Sequence, residues 1–139
     1  MNLFKRLLHK KAQIETPPLP SWDEIVELMY DKELNFVNQV VQVIYAKDKE
    51  RRYVITHNKE GLLFYELQEL YSFDDDEWRY ISSDDNALPG YWSSEHGDYL
   101  KSVFNSMDEL MRDLKSQPEY KLYFSDNMKT EQRSQHEYF

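Results

Sequence analysis

The 139-residue sequence has no cysteine and only three glycines, and these two shortages exclude several kinds of site. Without cysteine the chain can form no disulfide, thiolate zinc site, iron–sulfur cluster or cysteine nucleophile. The glycines, at positions 61, 90 and 97, are too scattered for a Walker A loop or a dinucleotide-binding fingerprint. No apolar run approaches the roughly 20 residues of a membrane span. We therefore expect a cytoplasmic protein that holds no cofactor.

Large aromatic side chains, by contrast, are plentiful and make up 15% of the chain. They offer the burial area that a disordered chain lacks. A chain of this length is expected to form one domain with one modest core. We predict a basic leader and proline-rich spacer at residues 1–20, a single domain at 21–124, and a flexible polar tail at 125–139.

The leader at residues 1–11 carries four basic groups and no acidic one. Its apolar residues recur at helical spacing, as in a short amphipathic helix. Two interpretations stay open, namely a frayed or self-docked leader and a weak contact with an anionic membrane. Three prolines among residues 17–20 then favour an extended spacer.

Two capping boxes predict helices in the domain. Ser21 with Glu24 begins a helix at about 21–32, on which Trp22 is a core candidate. Ser106 with Glu109 begins a second helix at about 106–116. A short aromatic helix or strand at 119–124 is expected to close the domain.

Between these helices apolar residues recur at every second position, which is typical of strands. Residues 39–46 and 51–57 read as a hairpin, 62–73 as a long third strand, and 77–82 as a fourth. The predicted fold class is α+β, a four-strand antiparallel meander with helices packed on one face. Residues 83–99 read as a loop that leaves Trp92 and Tyr91 partly exposed, whereas Trp78 is expected to be buried.

The acidic residues are concentrated in one part of the chain. Residues 66–98 hold ten acidic side chains against Arg79 alone, a sum of −9, while the other 106 residues sum to zero. Such a field favours a basic protein partner and disfavours nucleic acid, although a solvated face that serves solubility is the plain alternative. The candidate partner-binding residues are Asp74, Asp75, Asp76, Glu77, Asp84, Asp85, Tyr91, Trp92 and Glu95.

Metal and catalytic sites have little support in the sequence. An EF-hand loop starting at Asp74 fails at its last three required positions, which leaves only a loose calcium site open. The four histidines show no metal-ligand spacing. His57 and His96 are the candidate general bases, but no nucleophile elbow or glycine-rich oxyanion turn accompanies them. We therefore expect a protein that is not an enzyme.

In its size, acidic surface and aromatic window from Tyr71 to Trp92, the chain resembles the small immunity proteins of bacterial polymorphic toxin and contact-dependent inhibition systems. The resemblance covers residues 21–124 in general character. It implies one cognate toxin, often a basic nuclease, whose active site the protein blocks. The alternative from another class is a peripheral membrane or assembly factor, anchored weakly by residues 1–11.

Overall fold

A computed structural model describes residues 17–94 and 102–125 of the chain. The predicted leader, residues 126–139 of the predicted tail, and the candidates Glu95 and His96 lie outside the described residues. The two interpretations of the leader therefore stay predictions.

The chain divides into two compact units, which we describe separately. The described part of the first unit comprises residues 17–32 and 71–91, and that of the second comprises residues 33–70, 92–94 and 102–125. The single domain predicted over residues 21–124 stays a prediction.

The strands form one four-stranded sheet in the order β1-β2-β3-β4, and this confirms the predicted α+β fold. The strands are β1 (Gln39–Tyr45), β2 (Arg51–His57), β3 (Leu63–Ser72) and β4 (Gly90–Ser94). Strands β1 and β2 pair antiparallel, as do β2 and β3, so the predicted hairpin and third strand are confirmed. A bulge interrupts the β1–β2 register between Val40 and Gln42.

The predicted fourth strand at residues 77–82 is wrong, because Asp75–Ile81 form a helix. The Asp74 carboxylate accepts from the Glu77 backbone N–H at 2.8 Å, and the Glu77 carboxylate accepts from the Asp74 N–H at 2.8 Å. This capping box, with acidic residues throughout the first turn, stabilises a helix start. Asp74, Asp75 and Asp76, which are candidate partner-binding residues, therefore also form the start of a helix.

The actual fourth strand lies inside the predicted loop at 83–99. It begins at Gly90, where a Cβ would lie 2.5 Å from the Tyr71 carbonyl oxygen and 3.1 Å from the Ile25 side chain. The close approach of these backbones therefore requires glycine. Tyr91 and Trp92, which follow it, are residue types that favour strands.

In the first unit, helix α1 (Trp22–Met29) begins at the predicted capping box and buries Ile25 and Met29. The prediction that Trp22 belongs to the core is wrong, since 37% of it is exposed. Side chains tilt toward a helix N-terminus, so the first residue points past the end of the buried face. Helix α2 (Asp75–Ile81) buries Trp78, as predicted, and the indole N–H donates to the Pro17 carbonyl at 3.1 Å.

The core of the second unit lies between one sheet face and helix α3 (Met107–Lys115). Tyr53 and Ile55 of β2 pack there with Leu110 and Leu114 of the helix. Helix α3 confirms the predicted helix at 106–116. The aromatic segment predicted at 119–124 is a π-helix over Tyr120–Phe124, and Phe124 adds its ring to this core at 4.7 Å from the ring of Tyr53.

The Tyr53 hydroxyl is buried in this core without a hydrogen-bond partner among the described residues. Burial raises the pKa of Tyr53 far above its usual value, and the negative charge of Glu119 adds to the rise. A buried hydroxyl without a partner costs about 1–3 kcal/mol. We therefore expect Tyr53→Phe to raise the free energy of unfolding by about 1 kcal/mol, measured as a higher midpoint in urea denaturation.

Tyr65→Phe is the matched control for this prediction. The Tyr65 hydroxyl donates to the Asp113 carboxylate at 2.7 Å, so its removal should lower the free energy of unfolding. Equal losses in the two variants would show that the Tyr53 hydroxyl does have a partner.

Candidate functional site

The described part of the first unit carries most of the net negative charge of the described residues. Residues 17–32 and 71–91 hold ten acidic side chains against Lys32 and Arg79. The described part of the second unit holds ten acidic against eight basic side chains. We call the following exposed residues of the first unit the acidic aromatic surface: Tyr71, Asp74, Asp75, Asp76, Glu77, Tyr80, Asp84, Asp85 and Tyr91.

Several of these acids have a local structural role. Asp74 and Glu77 form the capping box of α2, and the Asp84 carboxylate accepts from the Asn86 N–H at 2.9 Å within a turn. Asp76 pairs with Arg79 at 3.2 Å in an exposed contact. Acidic residues in the first turn also interact favourably with the helix dipole. Part of the acidic run is therefore explained by the start of α2 rather than by a partner.

Tyr91 lies at the centre of a small aromatic cluster in the first unit. Its ring stacks on Tyr71 at 5.6 Å between centroids and lies 5.1 Å from Phe73. The prediction that Tyr91 is partly exposed is confirmed, with 38% of it accessible. Tyr80 on α2 is 84% exposed. Exposed tyrosine rings and carboxylates thus lie in the same unit of the chain, and both Tyr80 and Tyr91 fall within the aromatic window from Tyr71 to Trp92 that the sequence indicates.

The prediction that Trp92 is exposed is wrong, because only 8% of it is accessible. Its ring lies 4.2 Å from the Arg52 guanidinium carbon and makes an edge contact with Tyr45 at 6.0 Å. Successive side chains of a strand point to opposite sheet faces, so Tyr91 faces outward while Trp92 is buried. Trp92 therefore cannot act as an exposed anchor for a partner.

Arg52, which the sequence analysis did not single out, is fully buried beside Trp92. Its Nε donates to Gln68 Oε1 at 2.7 Å, its Nη1 to the Tyr45 hydroxyl at 3.1 Å, and its Nη2 to the Glu33 carbonyl at 3.0 Å. The Glu33 carboxylate in turn accepts from the Trp92 backbone N–H at 2.8 Å. These bonds fix Glu33 in a left-handed conformation, with φ of 58°.

Sequence position alone did not distinguish Arg52 from its neighbour. Arg51 lies on the opposite sheet face, where it pairs with Glu69 at 3.0 Å and its guanidinium carbon lies 3.7 Å from the centroid of the Tyr123 ring. The strand register distinguishes Arg52, because it places this residue opposite Tyr45 of β1 and opposite Gln68 of β3. Both partners offer side-chain oxygen acceptors to a buried guanidinium.

His57 and the possible metal ligands are the remaining candidate groups of the sequence. Across residues 17–94 and 102–125, no three acidic or histidine side chains are arranged to hold a metal ion. His57 Nδ1 lies 2.9 Å from the carbonyl oxygen of Asn58. The same ranges contain no helix that is long and apolar enough to cross a membrane.

Comparison with known proteins adds no family to this description. No family model, no curated protein and no solved structure matches the chain. Its function is therefore inferred from the chain's own residues, and the resemblance to immunity proteins stays a prediction.

Proposed function

We propose that the protein is a non-enzymatic binding module whose acidic aromatic surface engages a basic protein partner. The observation that carries the proposal is the uneven charge, ten acidic against two basic side chains in the described residues of the first unit. A concentrated field of one sign is costly through self-repulsion, and a partner of opposite charge relieves that cost. The resemblance to immunity proteins supports the same role and would make the partner a toxin.

The exposed tyrosines support recognition beyond charge alone. Tyrosine is enriched among the residues that dominate binding energy at interfaces, because it buries a large apolar ring and offers a hydroxyl. Tyr80 and Tyr91 present such rings in the same unit of the chain as the carboxylates of Asp75 and Asp85, and all four residues are exposed. The charges would speed encounter, and the rings would hold the complex together.

The test removes charge without disturbing the caps of α2. Asp75 and Asp85 are exposed and lie outside the capping box, so Asp75→Asn with Asp85→Asn should leave the fold intact. We expect this double variant to bind the partner about tenfold more weakly, and the salt dependence of binding to decrease. The partner is recovered by affinity purification from the native host, and its dissociation constant is then measured for each variant at low and high salt.

The matched control removes the same charge from the second unit, by Glu60→Gln with Asp108→Asn, both at exposed positions. It should bind as the unmodified chain does. The proposal fails if the two double variants lose equal affinity, or if the recovered partner binds equally well at low and high salt.

A further inference from the structure

Pro17, the first residue that the structure describes, is attached to helix α2. The Trp78 indole N–H donates to the Pro17 carbonyl at 3.1 Å, and the Trp78 side chain is buried. The same helix carries the exposed carboxylates of Asp75 and Asp76. The basic leader, residues 1–11, therefore precedes a point of the chain that is bonded to the acidic helix.

The leader is tied within reach of the acidic aromatic surface. The five residues 12–16 separate it from Pro17 and span at most about 17 Å when fully extended, whereas the seven residues of α2 are about 10 Å long. The leader can therefore reach every residue of α2. A segment held by so short a linker has an effective concentration in the millimolar range, so contacts that are weak in themselves suffice to hold it there.

The leader and the first unit are complementary in charge. The described part of the first unit has a net charge of −8, from ten acidic and two basic side chains, while the leader carries four basic groups and no acidic one. Asp75 and Asp85 are exposed and have no ion pair or side-chain hydrogen bond among residues 17–94 and 102–125. The four positive charges of the leader would offset half of the net charge of this unit and reduce its self-repulsion.

We propose that the basic leader docks on the acidic aromatic surface of its own chain. Its basic side chains pair with Asp75 and Asp85, and its apolar side chains contact Tyr80, which is 84% exposed. The leader then occupies the surface that a basic partner would use, and it competes with that partner. The docking does not depend on any partner, and only the competition rests on the proposed function.

The first experiment places a nitroxide spin label in the leader and measures the broadening of backbone amide resonances by NMR. Because the chain has no cysteine, His9→Cys gives a single labelling position in the full chain. The tether alone keeps the label near α2, so the part of the broadening that depends on salt is the measure of docking. We expect the strongest broadening at residues 74–85 at low salt, with most of it lost at about 1 M salt, where the Debye length is about 3 Å. Broadening that is strongest at residues 102–125, or that salt leaves unchanged, would overturn the proposal.

The second experiment removes the positive charges of the labelled leader and keeps its apolar residues. The substitutions are Lys5→Gln, Arg6→Gln, Lys10→Gln and Lys11→Gln. We expect this leader variant to lose the salt-dependent broadening at residues 74–85. Broadening that persists undiminished would show that charge does not hold the leader, and the proposal would fail.

The third experiment removes acidic charge from the surface. Asp75→Asn with Asp85→Asn should reduce the salt-dependent broadening by at least half, because it removes two acids that have no other partner among the described residues. Glu60→Gln with Asp108→Asn is the matched change at exposed positions of the second unit and should leave the broadening as it was. Equal effects of the two double variants would contradict docking on this surface.

Two further measurements separate this docking from other occupants. When spin-labelled chains are mixed with unlabelled, isotope-enriched chains, we expect no broadening at residues 74–85, and broadening there would assign the leader to a second copy. The unmodified chain is also floated with vesicles of anionic phospholipid at low salt. Flotation, combined with no salt-dependent broadening in the absence of vesicles, would assign the leader to membranes. Either of these two assignments overturns the proposal.

The competition is measured with the partner recovered from the native host. We expect the leader variant with four glutamines to bind this partner about tenfold more tightly than the unmodified chain does. Unchanged affinity in a chain that shows salt-dependent broadening would overturn the competition and leave the docking supported. The absence of any basic partner would contradict the proposed function, whereas the spin-label result would still decide the docking.

Discussion

Replacing Trp92 by alanine is expected to lower the free energy of unfolding by about 3–5 kcal/mol, the usual cost of removing a buried tryptophan side chain. The indole is 8% exposed and contacts both the Arg52 guanidinium and the Tyr45 ring. Its removal leaves a cavity, and the buried Arg52 guanidinium loses the ring against which it packs. Urea denaturation, with its midpoint and slope, measures the change.

Tyr91→Ala is the control for Trp92, because it changes the neighbouring residue of the same strand. Tyr91 is 38% exposed, so its truncation should cost less than half as much as that of Trp92. If Tyr91→Ala were the more destabilising variant, the assignment of the two side chains to opposite faces of β4 would be wrong.

Replacing Arg52 by methionine is expected to cost about 3–5 kcal/mol of stability. Methionine retains much of the apolar stem but leaves the acceptors of Gln68, Tyr45 and Glu33 without the guanidinium. Buried polar groups that lose their partner carry the full cost of desolvation. The measurement is again urea denaturation, with near-ultraviolet circular dichroism to show the loss of ordered packing around Trp92.

Arg51→Met is the control for Arg52, since it removes the same charge one residue earlier. Arg51 is partly exposed and its ion pair with Glu69 is a partly solvated one, so the expected cost is about 1 kcal/mol. The effects of Arg52→Met and Trp92→Ala should also combine to less than their sum, because the two side chains are in contact. Equal losses in Arg51→Met and Arg52→Met would contradict the buried network.

The features that the sequence predicted correctly are those with local signals. Ser21 with Glu24 marks the start of α1, and the alternation in residues 39–57 marks the hairpin, because both patterns follow from hydrogen bonds or side-chain spacing within a few residues. The concentration of acidic residues in 66–98 is visible in the sequence itself, and its role in binding stays a prediction. Local patterns also gave one wrong prediction, since Asp75–Ile81 form a helix where a strand was expected at residues 77–82.

The features that the sequence missed depend on contacts distant along the chain. Trp92 is buried because Arg52, forty residues earlier, lies against its ring. Arg52 is buried, and Arg51 is not, because the register with β1 and β3 decides which of two adjacent arginines meets Tyr45 and Gln68. No short window of sequence contains these relations.

The bulge between Val40 and Gln42 bears on how the protein behaves at high concentration. Strand β1 ends the sheet order, and Val41 beside the bulge is 44% exposed. A long, regular outer strand with apolar side chains would accept a strand from a second molecule and so begin aggregation. A bulge breaks the even spacing of N–H and C=O groups that such an addition needs. The irregularity in β1 thus works against intermolecular sheet growth at this edge.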